Sequence, residues 1–379
     1  MCPDVRGVDE TSMEIKQNTL YLTTPNSYVA RDHLNLKIEV ERELKLAVPI
    51  HHLESVCIFG QVGLSPAALQ LCWQHGVPVN YFSENGYLLG RWEGVPNTSV
   101  GLRRVQYRAA DDPAKSAAIA RQCVLGKMQN ARQSLLRSAR ETQADDESAS
   151  LQRCAIELAR LINLLNRPVV AEANETETPP KAPGSDESAV AVPTLEQIRG
   201  YEGQAASLYF EVFTLHLRQQ RGDFTFTTRS RRPPRDAINC LLSYLYALVR
   251  HDCIAALTAT GLDPFVGYLH AERPNRPSLA LDLMEEFRPL LADRLAITLI
   301  NRRQITKADF SSREGGSVEF TAAGRKAVIA AYQTRKQDEV RHPLLEQQFR
   351  IGHLMLTQAR ILARHLRGDM PQYLPCVLK

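Results

Sequence analysis

Between Gly261 and Pro289 the chain reads GLDPFVGYLHAERPNRPSLALDLMEEFRP. One imidazole, His270, is followed after a Pro-rich stretch by three carboxylates, Asp282, Glu285 and Glu286. Read as a helix from Ser278, the segment puts Leu279, Leu283, Met284, Phe287 and Leu290 on one broad arc. The three acids then share a flank of that arc, at i, i+3 and i+4. Like charges so placed repel by roughly 0.2–0.5 kcal/mol per pair on an exposed helix, and more once water is removed. Such a cluster calls for a compensating cation, and a divalent metal is the natural candidate. Carboxylate oxygens with one imidazole suit Mg2+ or Mn2+, whereas zinc sites lean toward Cys and His. These ions serve phosphoryl chemistry by polarising a phosphate oxygen.

A second acid stands out upstream. In the helix expected around Tyr201 to Phe213, positions 202, 206, 209 and 213 fall on one face, so Glu202 points where Ala206, Tyr209 and Phe213 point. Stripping water from a carboxylate costs several kcal/mol unless it is paired. Glu202 alone reads equally as a partly exposed residue or an arginine's partner, and His270 alone as a structural histidine. It is their proximity to the acidic helix that suggests a shared site. From Arg199 to Arg235 there are seven arginines (199, 218, 221, 229, 231, 232, 235) against three acids. Solvated surface is the plain reading of that run. Its position between candidate ligands favours contacts to a phosphate backbone, with Arg229, Arg231, Arg232 and Arg235 as the candidates. Arg288 either clamps a phosphate or neutralises the acids. The His270, Ala271, Glu272 run lacks the P-C-x-x-C partner of a zinc deaminase. Walker A, HExxH, G-x-S-x-G and dinucleotide-binding patterns are absent from the sequence.

Elements that could position these groups follow from periodicity. From Asn18 to about Arg91 short β-branched and alternating runs predict strands, with one helix between Pro66 and Gly76. Beyond Ala114 the period becomes helical, with Thr321–Lys336 and Leu344–His365 as clear late helices. The expected fold class is α+β multidomain. A small N-terminal mostly-β domain over 13–110 precedes a larger all-α catalytic domain over 111–379, interrupted by a flexible acidic loop at 171–194. The 379 residues carry a net charge of +4, too little to establish a nucleic-acid partner. Eight scattered cysteines without a C-x-x-C pair read as free thiols of a reducing cytoplasm. No signal peptide is apparent, and no apolar run approaches the ~20 residues of a membrane span. A cytoplasmic protein that does not engage a membrane is expected.

Four blocks in order, YEGQAASLYF, RRPPRDAINCLLSYLYAL, GLDPFVGYLH and SLALDLMEEFRP, resemble the CRISPR-associated spacer-acquisition integrase family known as Cas one. The opening NTLYLTTPNSYV and the KLAVPIHHLESVCIFG block are most similar to its subtype I-C branch. The resemblance implies an N-terminal β domain that dimerises, a helical catalytic domain, and one Mg2+ or Mn2+ ion held by Glu202, His270 and Glu285. Asp282 would be the acidic neighbour and a further catalytic residue. Relatives often have aspartate at the third ligand position, so Glu286 competes with Glu285 for that role. The implied reaction is transesterification, in which a prespacer 3′-OH attacks a phosphodiester at the border of a CRISPR repeat. The implied partners are DNA, a second copy of the chain and the small protein Cas two, with the apolar C-terminal tail as a contact for the last. Two other readings fit the same residues. One is a metal-dependent nuclease for branched repair intermediates. The other is a non-catalytic DNA-binding scaffold whose acids pair with arginines.

Overall fold

The computed structural model describes residues 19–53, 55–83, 88–94, 100–167, 193–230 and 233–378. The chain divides into two compact units, Met1–Val95 and Pro96–Lys379. In the first, β1 (Thr19–Leu22), β2 (Ser27–Asp32), β3 (Asn35–Val40), β4 (Glu43–Pro49), β5 (Ser55–Phe59) and β6 (Gly63–Leu64) precede α1 (Pro66–Gln74). Strands β7 (Val79–Phe82) and β8 (Leu88–Trp92) follow. They form two four-stranded sheets, ordered β4-β3-β2-β6 and β1-β5-β7-β8. Strands β1, β5 and β7 run parallel. The central β5, SVCIF, is buried at every position, as a parallel strand covered on both faces must be. Ser65 caps the Ala68 amide at the start of α1, and Gly76 follows its end at a positive φ of 66°. Val29, Leu36, Ile50, Val56, Leu71 and Val79 fill the core. The edge strand β4 leaves Leu44 55% and Leu46 47% exposed.

The second unit contains α2 (Val100–Asp111), α3 (Pro113–Glu141), α4 (Asp145–Asn166), α5 (Leu195–Glu211), α6 (Ala237–Thr260), α7 (Ser278–Phe287) and α8 (Arg294–Asn301). After these come β9 (Phe310–Ser312), β10 (Val318–Phe320), α9 (Ala322–Gln337), β11 (Glu339–Arg341), β12 (Gln348–Arg350) and α10 (Ile351–Arg367). The units divide at 95/96 rather than at the expected 110/111, because α2 packs with α3 and α10 and buries Gln106 in the helical unit. Two small hairpins, β9 with β10 and β11 with β12, interrupt what the sequence presented as all-α. The second replaces about the first two turns of the helix expected from Leu344. His342 Nδ1 accepts the Leu344 and Leu345 amides, and Glu346 adopts a left-handed φ of 54°, so helix starts only at Ile351.

Helix α6 is the core helix, packed against α7 and α10. Although it carries Arg250, His251 and Asp252, it has the length and apolarity of a membrane span, which the sequence reading had not found. Most of it is buried within the unit. Between α7 and α8 the chain makes a π-helical turn over Arg288–Asp293, beginning where Pro289 removes an amide donor. The described cysteines, 57, 72, 123, 154, 240, 253 and 376, are buried thiols outside any disulfide. Residues 171–192 of the expected acidic loop lie outside the described residues. Thr194 at its end caps α5 in a reciprocal pair with Gln197.

Candidate active site

Helix α7 buries all three of its acids, Asp282, Glu285 and Glu286, yet the expected single cation does not account for them. They face three different sets of partners. Asp282 faces the segment between α6 and α7. Its Oδ2 accepts the amides of Tyr268 (2.6 Å) and Leu269 (3.0 Å). Its Oδ1 accepts the amide of His270 (3.0 Å) and lies 2.7 Å from that residue's Nδ1. A carboxylate in this position draws the ring proton to Nδ1 and leaves the lone pair on Nε2. Nε2 stands 3.8 Å from Glu285 Oε1. The approach requires glycine at 267, where a Cβ would sit 2.8 Å from Asp282 Oδ2 and 2.7 Å from the Ser278 carbonyl carbon.

The same segment is tied from other directions. Gln106 donates to the carbonyls of Asp263 (2.8 Å) and Val266 (2.9 Å) and accepts the Asp263 amide (2.9 Å). Ser116 donates to the Tyr268 carbonyl, and Arg199 Nε donates to that of Leu269 at 2.8 Å. Pro264 supplies its carbonyl to the Leu279 and Ala280 amides, satisfying donors at the start of α7. His270 is therefore held by backbone on both sides before any substrate is considered.

Glu285 is 2% exposed and lies between three positive or potentially positive groups. Arg288 Nη2 is 3.0 Å from its Oε1, and Lys127 Nζ is 2.7 Å from its Oε2. Oε2 is buried and, among the described residues, makes no aligned hydrogen bond, so its contact with the ammonium is an ion pair. Burial alone would raise this carboxyl's pKa. Arg288 and Lys127, joined by His270 whenever its ring is protonated, outweigh it and hold the group down at about 2. Lys127 also hydrogen-bonds Glu202 Oε1, so one ammonium links α5 to α7. Glu202 keeps 29% of its side chain exposed, leaving the cluster open on that side. As the side chains stand, Glu202 leans on Lys127. Among the described residues no three His, Cys, Asp or Glu groups close around one point.

Glu286 turns the other way. It accepts hydrogen bonds from the Tyr373 hydroxyl, the Cys376 amide and, at 3.1 Å, Gln358 Nε2. Burial pushes its carboxyl up to about 7 against the pull of these donors. Asn130 of α3 binds the carbonyls of Glu286 (2.9 Å) and Cys376 (2.8 Å). Tyr373 and Cys376 of the tail, read from sequence as a partner contact, are thus buried in this unit's own core. Nor does Glu286 compete with Glu285 for the His270 side of α7.

The arginine-rich stretch is largely committed to internal ties. Arg218 donates to the Ser138 carbonyl at 2.6 Å, and Arg221 pairs with Glu147. Arg229 binds Asn239 Oδ1 and Ser243 Oγ, with its guanidinium 5.4 Å from the Tyr246 ring centroid. Arg288 stands over the same ring at 4.9 Å and neutralises Glu285, the second of the two roles weighed for it. Arg235 is exposed, while Arg231 and Arg232 lie outside the described residues. Lys127 escaped the sequence reading, although the signal was present. Its helical neighbours Cys123, Val124, Asn130 and Ala131 are all buried, so it is a charge on an inward face, the same anomaly that singled out Glu202.

A sequence profile of the family described as CRISPR associated protein Cas1 matches residues 20–334. The chain is 46% identical over 363 residues to "CRISPR-associated endonuclease Cas1 1" of Moorella thermoacetica, covering 96% of this chain and 99% of the relative. It is 43% identical to "CRISPR-associated endonuclease Cas1 2" of Rhodospirillum rubrum, covering 94% and 97%. Among solved structures, a CAS1 protein from Thermotoga maritima superposes with a TM-score of 0.70 at 24% identity, covering 92% of this chain and 97% of that one. A casposase bound to its integration product gives 0.73 at 21%, covering 94% and 92%. A chain of a Cas6-RT-Cas1–Cas2 complex gives 0.74 at 22%, covering 96% of this chain and 36% of that one. At these identities the structural matches speak for the fold.

Proposed function

The chain belongs to the CRISPR-associated Cas1 family of endonucleases acting in CRISPR adaptation, and from that membership we propose that Glu202, His270 and Glu285 hold one Mg2+ or Mn2+ for a DNA-joining reaction. The observation that carries this reading is the His270 ring, with Nδ1 2.7 Å from Asp282 and Nε2 3.8 Å from Glu285, and with Glu202 reaching the same place through Lys127. Two carboxylates and one imidazole nitrogen with a free lone pair fit a hard divalent cation. When bound, the ion would polarise a phosphodiester oxygen and stabilise the charge developing on the phosphate.

The protein's own groups prepare that site. Asp282 holds the proton on Nδ1 and acts through His270 as a positioning residue. Arg288 keeps Glu285 ionised inside the unit, and the Gln106, Ser116 and Arg199 hydrogen bonds fix the His270 segment so that little ordering is left for the reaction step. The substrate reading is a prespacer 3′-OH attacking a phosphodiester at the repeat border. One P–O bond forms and one breaks, so no nucleotide hydrolysis is needed. Arg235, with Arg231 and Arg232, is the proposed backbone contact. The assembly proposed is a homodimer through the β4 edge of the strand-rich unit, working with Cas two in the cytoplasm. The two N-terminal sequence blocks favour subtype I-C.

Glu202→Gln, His270→Ala and Glu285→Gln should each lower divalent-dependent joining of labelled DNA to a repeat duplex by about 100-fold or more. DNA binding should stay near that of the parent protein, as should the melting temperature of Glu202→Gln and His270→Ala. Glu285→Gln strands Arg288 and Lys127 and should melt lower. Normal joining by Glu202→Gln in Mg2+ would show the ligand assignment to be wrong. Faster turnover of branched duplexes than of repeat borders would instead favour the repair-nuclease reading.

A further inference from the structure

We propose that the Lys127 ammonium is the resident counter-ion of Glu202 and Glu285, and that a divalent cation enters the site by displacing it. The inference rests on the ligand reading above and deepens it. Lys127 Nζ touches Glu202 Oε1 and lies 2.7 Å from Glu285 Oε2, which are oxygens of two of the three proposed ligands. Its side chain is only 13% exposed, so the contacts are not loose surface pairs. The two oxygens of Glu285 are served differently. Oε1 faces Arg288, which is stacked on Tyr246 and fixed, whereas Oε2 faces an ammonium on a flexible four-carbon stem. Gly126 brings that stem alongside α7, since a Cβ there would stand 3.2 Å from Glu286 Cβ.

Two carboxylates facing one another need a cation to coexist in a site this enclosed, and Lys127 supplies one. A second cation cannot use the same oxygens while the ammonium lies between them, because like charges a few ångströms apart in a poorly solvated site repel strongly. Lys127 and the metal are therefore alternatives at one place. Displacement frees Glu202 to turn from Lys127 to the His270 and Glu285 pair. This also explains why no three ligating groups close around a point while Lys127 holds Glu202.

The test compares Mn2+ affinity by isothermal titration and electron paramagnetic resonance in the EDTA-treated full chain and in Lys127→Met and Glu202→Gln. Lys127→Met should bind Mn2+ more tightly, by about tenfold or more, and melt at a lower temperature before the ion is added. Equal or weaker binding by Lys127→Met, with Glu202-dependent binding intact in the parent chain, would overturn the displacement and leave the ligands standing. Binding that ignores Glu202→Gln would overturn the ligand reading itself. If Lys127→Met does not fold, pulse acylation of the unaltered chain read by mass spectrometry decides. Mg2+ should raise the reactivity of Lys127 relative to the exposed Lys115. No change, or protection, would overturn the proposal.

Discussion

At the scale of single residues, the informative event is the partition of three adjacent acids. Like charges at i, i+3 and i+4 on one helix pose one problem in sequence, and the fold gives three separate solutions. Asp282 satisfies backbone amides and an imidazole, Glu285 meets Arg288 and Lys127, and Glu286 meets the tail. Asp282→Asn keeps the shape but places an amide against three N–H donors and the ring. It should lower metal affinity about 10- to 100-fold, measurable by Mn2+ titration, because the histidine tautomer is no longer set. His216 offers a pH test away from the site. Its Nδ1 is 2.6 Å from Ser138 Oγ, its Nε2 has no hydrogen-bond partner among the described residues, and burial holds its pKa down at about 3. An unfolded histidine titrates near 6.5, so the unfolded chain takes up a proton the folded one refuses. Stability from this group is present above pH 6.5 and falls away as pH drops toward 3. Urea midpoints across that window should fall less steeply in His216→Gln. The acid cluster of α7 beside His270 and the inward Glu202 were legible as anomalies of type and spacing. The choice of Glu202, His270 and Glu285 as a ligand set came from the family resemblance and not from spacing. Lys127 carried the same kind of signal, a charge on an inward helix face, but its two partners come from other helices and only the fold brings them together.

At the scale of elements, the site depends on how closely α3 and the C-terminal tail approach α7. Gly126 permits it, since a Cβ there would meet Pro375 Cβ at 2.6 Å. Replacing a helical glycine by alanine ordinarily stabilises by up to ~1 kcal/mol, whereas overpacking costs about 1–3 kcal/mol. The second effect should win here. Gly126→Ala is expected to lower stability by up to ~2 kcal/mol net in urea unfolding and to loosen the Tyr373 and Cys376 contacts, visible as faster amide exchange at Cys376. The late helix read as starting at Leu344 shows the limit of periodicity. An apolar pair after proline satisfies a helical pattern, but His342, buried and bonded to Gln358 at 3.0 Å, captures the following amides for a hairpin. Strands and helices with strong internal patterning, such as β5, α1 and α9, were legible. Their boundaries shifted where a distant side chain claimed the backbone.

At the scale of the whole molecule, the edge strand β4 of the strand-rich unit exposes two leucines, Leu44 and Leu46, interleaved with a charged pair, Glu43 and Lys45, at 2.7 Å. Light scattering should give a dimer for the parent chain and a monomer for Leu44→Asp combined with Leu46→Asp, with melting of the helical unit unchanged. A monomeric parent would remove the dimer from the proposed assembly. The π turn at Arg288–Asp293 has its own consequence for how the helical unit is built. Such a turn absorbs one residue more than an α-helix needs, which resets the angular phase of everything after it by about 100°. The acids of α7 and the inward Leu295, Leu299 and Ile300 of α8 consequently belong to two different clocks. Deleting a single residue between Leu290 and Ala292 would synchronise them, and the helix could then keep its grip on the core or its aim at His270, but not both.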